Sequence, residues 1–281
     1  MSTALILGLH CPARALVMGA TGGIGLALVE LLLERAEVLH VTAVARQATQ
    51  SAALAQLVNR YPGRLQIDVA DLTDPATLQQ LAARLSSVPL HLCINAAGVL
   101  HQSESISNSI GDSASTSASD SASNSASDLM PEKNLAAISS SNLHRVFAVN
   151  AFGPVLLAQA ILPLMRHAEP AVFASLSARV GSIGDNRLGG WYAYRAAKAA
   201  HNQLLKTVAI EGRRTHPNLS VQMLHPGTVD SALSRPFQRG VPAQQLFTPA
   251  YAAAQLLAVI GTATAQNSGR FVAWDGSEIP W

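Results

Sequence analysis

The chain of 281 residues is poor in charged residues, in cysteine and in metal-binding motifs. Only 13% of its residues are charged, and the net charge of +2 comes without a basic run. No surface that tracks nucleic-acid phosphates is therefore predicted. The two cysteines have neither metal nor redox spacing, which fits a reducing compartment and a structural role for both thiols. The nine histidines are scattered, so no metal site is expected.

Long apolar runs and a leader sequence are also missing. No run reaches the length of about eighteen apolar residues that a membrane span needs. The N-terminal stretch has no basic region and no small-residue cleavage site, so no signal peptide is predicted. A cytoplasmic protein without membrane contact is expected. The 49% hydrophobic content can fill a sizeable core in one large domain or two small ones.

Short apolar runs alternate with longer helical patterns, which predicts βα units and a parallel sheet. Seven runs have the composition of strands: ALVMGA, LHVTAVA, LQIDVA, LHLCINAA, AVFASLS, VQMLHPG and RFVAW. Helices are predicted over 23–36, 74–85, 142–166 and 192–214. Apolar strands between helices indicate a sheet covered on both faces. The predicted fold class is α/β, a doubly wound Rossmann fold with a seven-stranded, mostly parallel sheet and ligands at the carboxyl ends of the strands.

A serine-rich segment interrupts this rhythm at residues 103–128. Serine occupies every odd position except 111, and acidic residues recur every eight positions. A segment with so few large apolar residues cannot offset the entropy lost on ordering, so a disordered insertion in a single domain of residues 1–281 is predicted. A phosphorylated or partner-binding tract is the alternative.

A glycine-rich turn, GATGGIG at 19–25, joins the first strand to a helix. Glycines there let the backbone approach a pyrophosphate, which the helix N-terminus then holds. A mere tight connection is the alternative. About twenty residues on, where a carboxylate would bind the ribose hydroxyl of NAD, the second strand ends at Arg46. A cation there favours a 2′-phosphate. Even if Arg46 is only a solvated loop residue, the missing carboxylate still weakens the case for NAD, so NADP(H) is preferred and NAD(H) stays open.

Tyr194 and Lys198 lie four residues apart in a predicted helix, and the chain has only three lysines. Side chains at this spacing share a face, about 5–6 Å apart at Cβ. A cation beside a phenol lowers its pKa, which suits a general acid. The alternative is ordinary surface decoration of a helix.

Six motifs together resemble the short-chain dehydrogenase/reductase family: TGGIG at 21–25, NAAG at 95–98, Asn150, a serine beyond the fifth strand, YRAAK at 194–198 and HPGTV at 225–229. They occur in the family's order across nearly the whole chain. Stretches such as ARVGSIGDNRLGGWYAYRAAKAA further resemble the C-factor-like branch and related carbonyl reductases.

The resemblance implies a catalytic role for four residues. Tyr194 would exchange a proton with the substrate oxygen, and Lys198 would assist it and bind the nicotinamide ribose. Asn150 would hold a water that connects Lys198 to solvent, or mark a kink in the long helix before Pro154. Ser177 would bind the substrate oxygen.

The choice among the serines rests on their position. Ser177 lies just past the fifth strand, on the ligand side of the sheet. It is preferred over Ser175 and Ser182, for which loop hydrogen bonds are predicted.

The resemblance also implies a set of cofactor-binding residues. Asn95 would in addition tie the central strands together, and Asp71 would meet the adenine amine unless it and Asp74 cap the following helix. The implied set comprises Gly19, Thr21, Gly22, Gly23, Ile24, Gly25, Arg46, Asp71, Leu72, Asn95, Ala96, Gly98, Tyr194, Lys198, Pro226, Gly227, Val229 and Ser231.

The function that the resemblance implies is an NADP(H)-dependent oxidoreductase that interconverts a carbonyl and an alcohol. A C-factor-like signalling or regulatory protein that binds dinucleotide is the alternative. The expected partner is a small-molecule carbonyl or alcohol. Family members often pair through the long fourth and fifth helices, so a homodimer is one expected state and a monomer the other.

Overall fold

Parallel strands form the centre of the structure, a computed structural model that describes residues 4–101 and 129–281. In chain order the strands are β1 (Ala13–Met18), β2 (Val38–Val44), β3 (Leu65–Asp68), β4 (Leu92–Asn95), β5 (Ala171–Leu176), β6 (Leu219–His225), β7 (Thr228–Val229), β8 (Leu246–Phe247) and β9 (Arg270–Ala273). Seven of them form one sheet in the order β3-β2-β1-β4-β5-β6-β9, with each neighbouring pair parallel. The predicted seven-stranded Rossmann sheet is confirmed, and its seven strands are all parallel.

Helices connect the strands. They are α1 (Gly23–Glu34), α2 (Ala52–Arg60), α3 (Pro75–Leu85), α4 (Ser140–Phe147), α5 (Gly153–Ile161), α6 (Tyr192–Thr215) and α7 (Pro249–Ile260). The sequence patterns predict α1, α3 and α6 and, as one continuous helix, α4 with α5. They do not single out α2 and α7.

Both faces of the sheet are buried, because alternate residues of each strand point to opposite sides. On one face Val17 and Ala174 belong to a cluster with apolar side chains of α1, α2 and α7. On the other face Leu16 and Phe173 pack with side chains of α3, α5 and α6. All six residues of β5 are buried, as expected for a central strand covered on both sides.

The strand order reverses between β1 and β4, since β2 and β3 lie to one side of β1 and β4 to β6 to the other. Open α/β sheets bind ligands at this switch point, in the crevice at the carboxyl ends of the strands. The carboxyl ends of β1, β4 and β5 therefore mark where a ligand site belongs.

The helical stretch Ser140–Met165 is long and apolar enough to cross a membrane by length and composition alone. Polar residues such as Asn150 and Gln159 interrupt it, so it meets this test through its mean hydropathy and not as an unbroken apolar run. Leu157 and Ile161 on this stretch are fully buried against the sheet. This is how a core helix packs.

The serine-rich segment predicted to be an insertion, residues 103–128, lies outside the described residues. Strands that precede it and strands that follow it join the same sheet.

Candidate active site

The turn after β1 requires glycine at two positions. Gly19 has φ +82°, and a Cβ on it would lie 2.7 Å from the backbone nitrogen of Ala97. A Cβ on Gly25 would lie 2.1 Å from the carbonyl oxygen of Gly19. A Cβ atom cannot lie this close to backbone atoms, so only glycine at positions 19 and 25 permits a turn this tight. The turn itself therefore packs against the backbone of Ala97, just after β4.

The N-terminus of α1 is open to solvent. Gly22 is the N-cap and no side-chain hydrogen bond caps the helix. Thr21, Gly22 and Gly23 are exposed, and Ile24 is half-buried. The first backbone N–H groups of a helix have no intrahelical partner, and with the helix dipole they attract an anion. The turn thus fits a pyrophosphate.

Arg46 and Asp71 lie near each other beyond β2 and β3. Arg46 is exposed, whereas the Asp71 carboxylate accepts hydrogen bonds from the Thr73 N–H at 2.8 Å and hydroxyl at 2.7 Å. Burial works toward a higher pKa of Asp71, but the Thr73 hydrogen bonds and the Arg46 charge hold that pKa below its ordinary value. Asp74 caps α3 by accepting from the Ala76 N–H at 2.9 Å. Asp71 instead closes the turn before that cap.

The neighbouring Leu72 has its side chain in the core. It is buried, and a Cβ on Gly153 would lie 2.6 Å from its Cγ. Its backbone is the part left for contact with a ligand.

Asn95, at the end of β4, ties the central strands together. Its Nδ2 donates to Ser175 Oγ in β5 at 3.0 Å, and its Oδ1 accepts from the Ala97 N–H at 3.2 Å. Ala96 is half-buried and Gly98 is exposed. The small residues after Asn95 thus leave the edge of the sheet accessible beside the glycine turn.

Asn150 holds the segment that follows β4. Its Nδ2 donates to the Val99 carbonyl at 2.7 Å, and its Oδ1 accepts from the Val99 N–H at 3.1 Å. It lies in a π-helical turn, Ala148–Phe152, that separates α4 from α5. Pro154 cannot donate a backbone hydrogen bond at this point, which explains the irregularity. A Cβ on Gly98 would lie 3.1 Å from Asn150 Oδ1 and 4.0 Å from Lys198 Nζ.

Tyr194 and Lys198 lie on the buried face of α6. The Lys198 ammonium is 5.8 Å from the centroid of the Tyr194 ring and donates to the Leu176 carbonyl at the end of β5, at 2.8 Å. Tyr194 is 9% exposed and Lys198 3%. Within the described residues the Tyr194 hydroxyl has no hydrogen-bond partner.

Burial governs the pKa values of this pair. It raises the pKa of Tyr194 above its ordinary value and lowers the pKa of Lys198 to about 8, because it disfavours the charged form of each. The expectation that Lys198 lowers the tyrosine pKa is therefore wrong for this structure. Desolvation outweighs the attraction of an ammonium that is directed to the Leu176 carbonyl.

Three serines lie close to this pair in sequence but differ in environment. Ser177 is 4% exposed, and its hydroxyl donates to Asn202 Oδ1 at 2.6 Å. Ser182 accepts from the Asp185 N–H at 3.0 Å, which is a loop hydrogen bond. Ser175 lies inside β5, where it bonds Asn95, and the His201 Nε2 lies 2.9 Å from its Oγ. The prediction of a loop role for Ser175 is wrong, because it is a fully buried strand residue.

The segment after β6 closes the site from the other side. Gly227 has φ +79°, and a Cβ on it would lie 2.6 Å from the Phe247 ring. Pro226 precedes it, half-buried, and Val229 is buried in β7. Ser231 lies beside the glycine turn, since a Cβ on Gly23 would be 3.5 Å from its Cβ. The structure therefore brings together Gly23 and Ser231, two predicted cofactor-binding residues from opposite ends of the chain.

Three residues at the site are not singled out by the sequence. Glu132 contacts the start of α6, Asn202 bonds Ser177, and Trp191 packs edge-on against Tyr194. The Glu132 carboxylate accepts a hydrogen bond from the Ala193 N–H, although the two residues are 61 positions apart. No periodic sequence pattern links positions so far apart. The adjacent Gly189 and Gly190 are the one local signal that the entry to α6 is unusual.

The family comparison agrees with this geometry. The family described as short chain dehydrogenase matches residues 13–241. The chain belongs to the short-chain dehydrogenase family. It is thus a member of an oxidoreductase family, as the six sequence motifs imply.

Curated relatives within the family have different roles. The chain is 30% identical over 277 residues to 1-hydroxy-2-glutathionyl-2-methyl-3-butene dehydrogenase of Rhodococcus sp. (strain AD45), covering 96% of this chain and 100% of that protein. It is 31% identical over 147 residues to the C-signal of Myxococcus xanthus, covering 52% and 83%.

Solved structures share the fold over nearly the whole chain. The NADPH-bound carbonyl reductase from chicken fatty liver has a TM-score of 0.77 at 25% identity, with 97% of this chain and 100% of that chain covered. A carbonyl reductase from Pseudomonas aeruginosa PAO1 has a TM-score of 0.73 at 25% identity, with 96% and 100% covered.

Proposed function

We propose that this protein is an NADP(H)-dependent oxidoreductase that interconverts a carbonyl and an alcohol, with Tyr194 as general acid and base. The observation that carries the proposal is the buried pair of Tyr194 and Lys198 at the carboxyl end of β5, beside Gly98 and Asn150. A phenol without a partner, next to an ammonium and to a dinucleotide-type turn, is the arrangement that carbonyl reduction needs.

The residues at the switch point fit a dinucleotide. The glycine turn and the uncapped N-terminus of α1 would hold the pyrophosphate, and Asn95 to Gly98 would leave room for the adenosine ribose. Pro226, Gly227 and Ser231 would line the nicotinamide side. When bound, the cofactor supplies or accepts the hydride.

The 2′-phosphate of NADP(H) would meet Arg46. Arg46 is exposed after β2, where NAD enzymes place a carboxylate. The similarity to an NADPH-bound carbonyl reductase supports the same preference.

Tyr194 would donate its phenolic proton to the carbonyl oxygen of the substrate. Burial keeps the phenol protonated at neutral pH, which suits a group that acts first as an acid. Lys198, with a pKa of about 8, is mostly protonated at neutral pH and would stabilise the phenolate that remains. Asn150 would position the segment around Gly98 and a water that exchanges protons with Lys198.

Ser177 would bind the same substrate oxygen through the hydrogen-bond network of Asn202. Its hydroxyl proton is held by Asn202 Oδ1, while Asn202 Nδ2 is buried without a partner. A rotation of this amide by 180° would place Nδ2 on Ser177 Oγ and free the hydroxyl proton for the substrate. It would also give the orphan donor a partner, which lowers its desolvation cost.

The test of this proposal is oxidation of NADPH and of NADH by the purified protein with a panel of aldehydes, ketones and quinones. Carbonyl-dependent oxidation of NADPH, faster than that of NADH, is the expected result. If NADPH binds but no member of the panel supports its oxidation, the result counts against the proposal and favours a binding role.

A signalling or regulatory function is the second candidate. Its support is the 31% identity to the C-signal of Myxococcus xanthus. The complete set of Asn150, Ser177, Tyr194 and Lys198 favours an enzyme over a protein that has lost activity. Cell fractionation separates the two candidates: surface-exposed protein supports signalling, and recovery in the cytoplasm supports the reductase.

A further inference from the structure

The entry to α6 has an unusual backbone. Gly189, Gly190 and Trp191 follow one another with φ of +64°, +65° and +52°. Trp191 is the one residue other than glycine with positive φ among residues 4–101 and 129–281. A bulky residue adopts this conformation only where its surroundings impose it.

Glu132 supplies contacts on both sides of this turn. Its backbone carbonyl accepts from the Trp191 N–H at 2.6 Å, and its carboxylate Oε2 accepts from the Ala193 N–H at 3.1 Å. Glu132 is only 3% exposed. In the part of the chain that the structure describes it has no ion pair, and its carboxyl group lies at the N-terminus of α6, where the helix dipole favours an acidic side chain.

The same turn fixes two aromatic rings. Tyr194 directly follows Ala193, and its ring packs edge-to-face with that of Trp191 at 6.2 Å between centroids. The Trp191 ring also packs on Phe237 at 5.1 Å. A shift of the first turn of α6 would therefore move the Tyr194 phenol together with the aromatic wall beside it.

We propose that Glu132 is a positioning residue for Tyr194. It caps α6 from a segment distant in sequence and so fixes where the phenol meets the substrate oxygen, without itself touching substrate or cofactor. The inference rests on the proposed catalytic role of Tyr194. Reach, rather than charge, is the property that matters, because Oε2 must extend to the Ala193 N–H.

Three variants separate positioning from simple stabilisation. Glu132→Gln keeps the length and an acceptor oxygen but loses the charge, whereas Glu132→Asp keeps the charge and shortens the reach. Asp74→Ala removes a carboxylate cap from α3 and is the matched control for the loss of a cap away from Tyr194. Each is compared with wild type and Tyr194→Phe for kcat, for KM of NADPH and of the carbonyl, and for thermal stability.

Glu132→Asp is expected to lower kcat about tenfold with KM for NADPH unchanged, because a small misplacement of a reacting group is costly. Glu132→Gln is expected to stay within about threefold of wild type, and Asp74→Ala to keep wild-type kcat. Loss of kcat in Gln but not in Asp, or wild-type kcat in both, would overturn the inference.

A failure of the proposed function is seen separately, as equal turnover by wild type and Tyr194→Phe. In that case the role of Glu132 is tested by the near-ultraviolet circular dichroism band of Trp191, which is assigned by comparison with Trp191→Phe. A band changed by Glu132→Asp and not by Glu132→Gln supports positioning of the turn, and an unchanged band rejects it.

Discussion

Burial sets the acid–base chemistry of Tyr194 and Lys198. Both side chains lie under the carboxyl end of β5, where an ionised phenol and an ammonium are each disfavoured. In the proposed mechanism the phenol is therefore a poor acid until a carbonyl oxygen accepts its proton and the Lys198 charge stabilises the phenolate that remains. The spacing of the two residues can be predicted from the sequence, but the pKa values cannot, because desolvation depends on everything packed around them.

The buried ammonium of Lys198 makes stability depend on pH. Its pKa falls from 10.5 in an exposed lysine to about 8 in the folded protein. Between these values the unfolded chain binds a proton that the folded chain has released, so the free energy of unfolding rises with pH across this window. One such group contributes up to about 1.4 kcal/mol per pH unit.

Lys198→Met removes this contribution. Urea unfolding of the cofactor-free protein at about pH 7.5 and about pH 9.5 is the measurement. Wild type is expected to gain stability relative to the variant as pH rises. If the stabilities of the two proteins changed with pH in parallel, the pKa of Lys198 would not be lowered by burial.

We propose that Arg46 determines the choice between NADP(H) and NAD(H). Arg46→Ala is expected to raise KM for NADPH about tenfold, the loss of a hydrogen bond to a charged group, and to leave KM for NADH unchanged. Steady-state kinetics with both cofactors is the measurement, with Arg60→Ala at the exposed end of α2 as the control. An equal change for NADPH and NADH would place the 2′-phosphate elsewhere.

At the scale of elements, the β1–α1 turn combines a left-handed residue with a close backbone contact. The glycine pattern and the flanking strand and helix suffice to predict the turn. The approach of Gly19 to Ala97 is not predictable in the same way, because it depends on how β1 and β4 lie side by side. The helix interruption at Asn150 can be predicted only in part. Pro154 indicates an irregular helix, but the contact of Asn150 with Val99 joins segments that are distant in sequence.

Gly19→Ala and Gly63→Ala separate backbone strain from steric clash. Both glycines have positive φ, +82° and +76°, but a Cβ on Gly63 meets nothing within 4 Å. Gly63→Ala is expected to cost about 1–2 kcal/mol of unfolding free energy through strain alone.

Gly19→Ala is expected to lower the free energy of unfolding by about 1–3 kcal/mol more than Gly63→Ala does, because its Cβ clashes with Ala97. It should also weaken NADPH binding, which Gly63→Ala should not. Urea unfolding and fluorescence titration with NADPH measure both effects. Equal stability and affinity in the two variants would show that the turn has room for a side chain.

At the scale of the whole molecule, the order of strands and helices follows from the alternation of apolar runs. Which strands lie next to each other in the sheet follows from the strand order that is typical of doubly wound folds. Contacts such as those of Glu132 and Asn202 do not follow from either, because residues far apart in sequence meet only once α6 lies on the sheet. The described residues on both sides of 103–128 supply the complete seven-stranded sheet.

Replacing residues 103–128 by a short Gly/Ser linker therefore tests the prediction of an inert insertion. We expect the melting temperature and NADPH oxidation to stay close to wild type. The readouts are calorimetry and steady-state turnover, and binding partners of the two forms are compared by affinity capture. Loss of a partner or of turnover would give the segment a function.

The measurement that tests the central claim most directly is turnover and NADPH affinity of Tyr194→Phe beside wild type. The variant removes one hydroxyl from a side chain that makes no hydrogen bond within the described residues. The account predicts that kcat for carbonyl reduction falls at least about a hundredfold, while the Kd for NADPH stays within about twofold. Unchanged turnover in the variant would contradict the assignment of Tyr194 as the general acid.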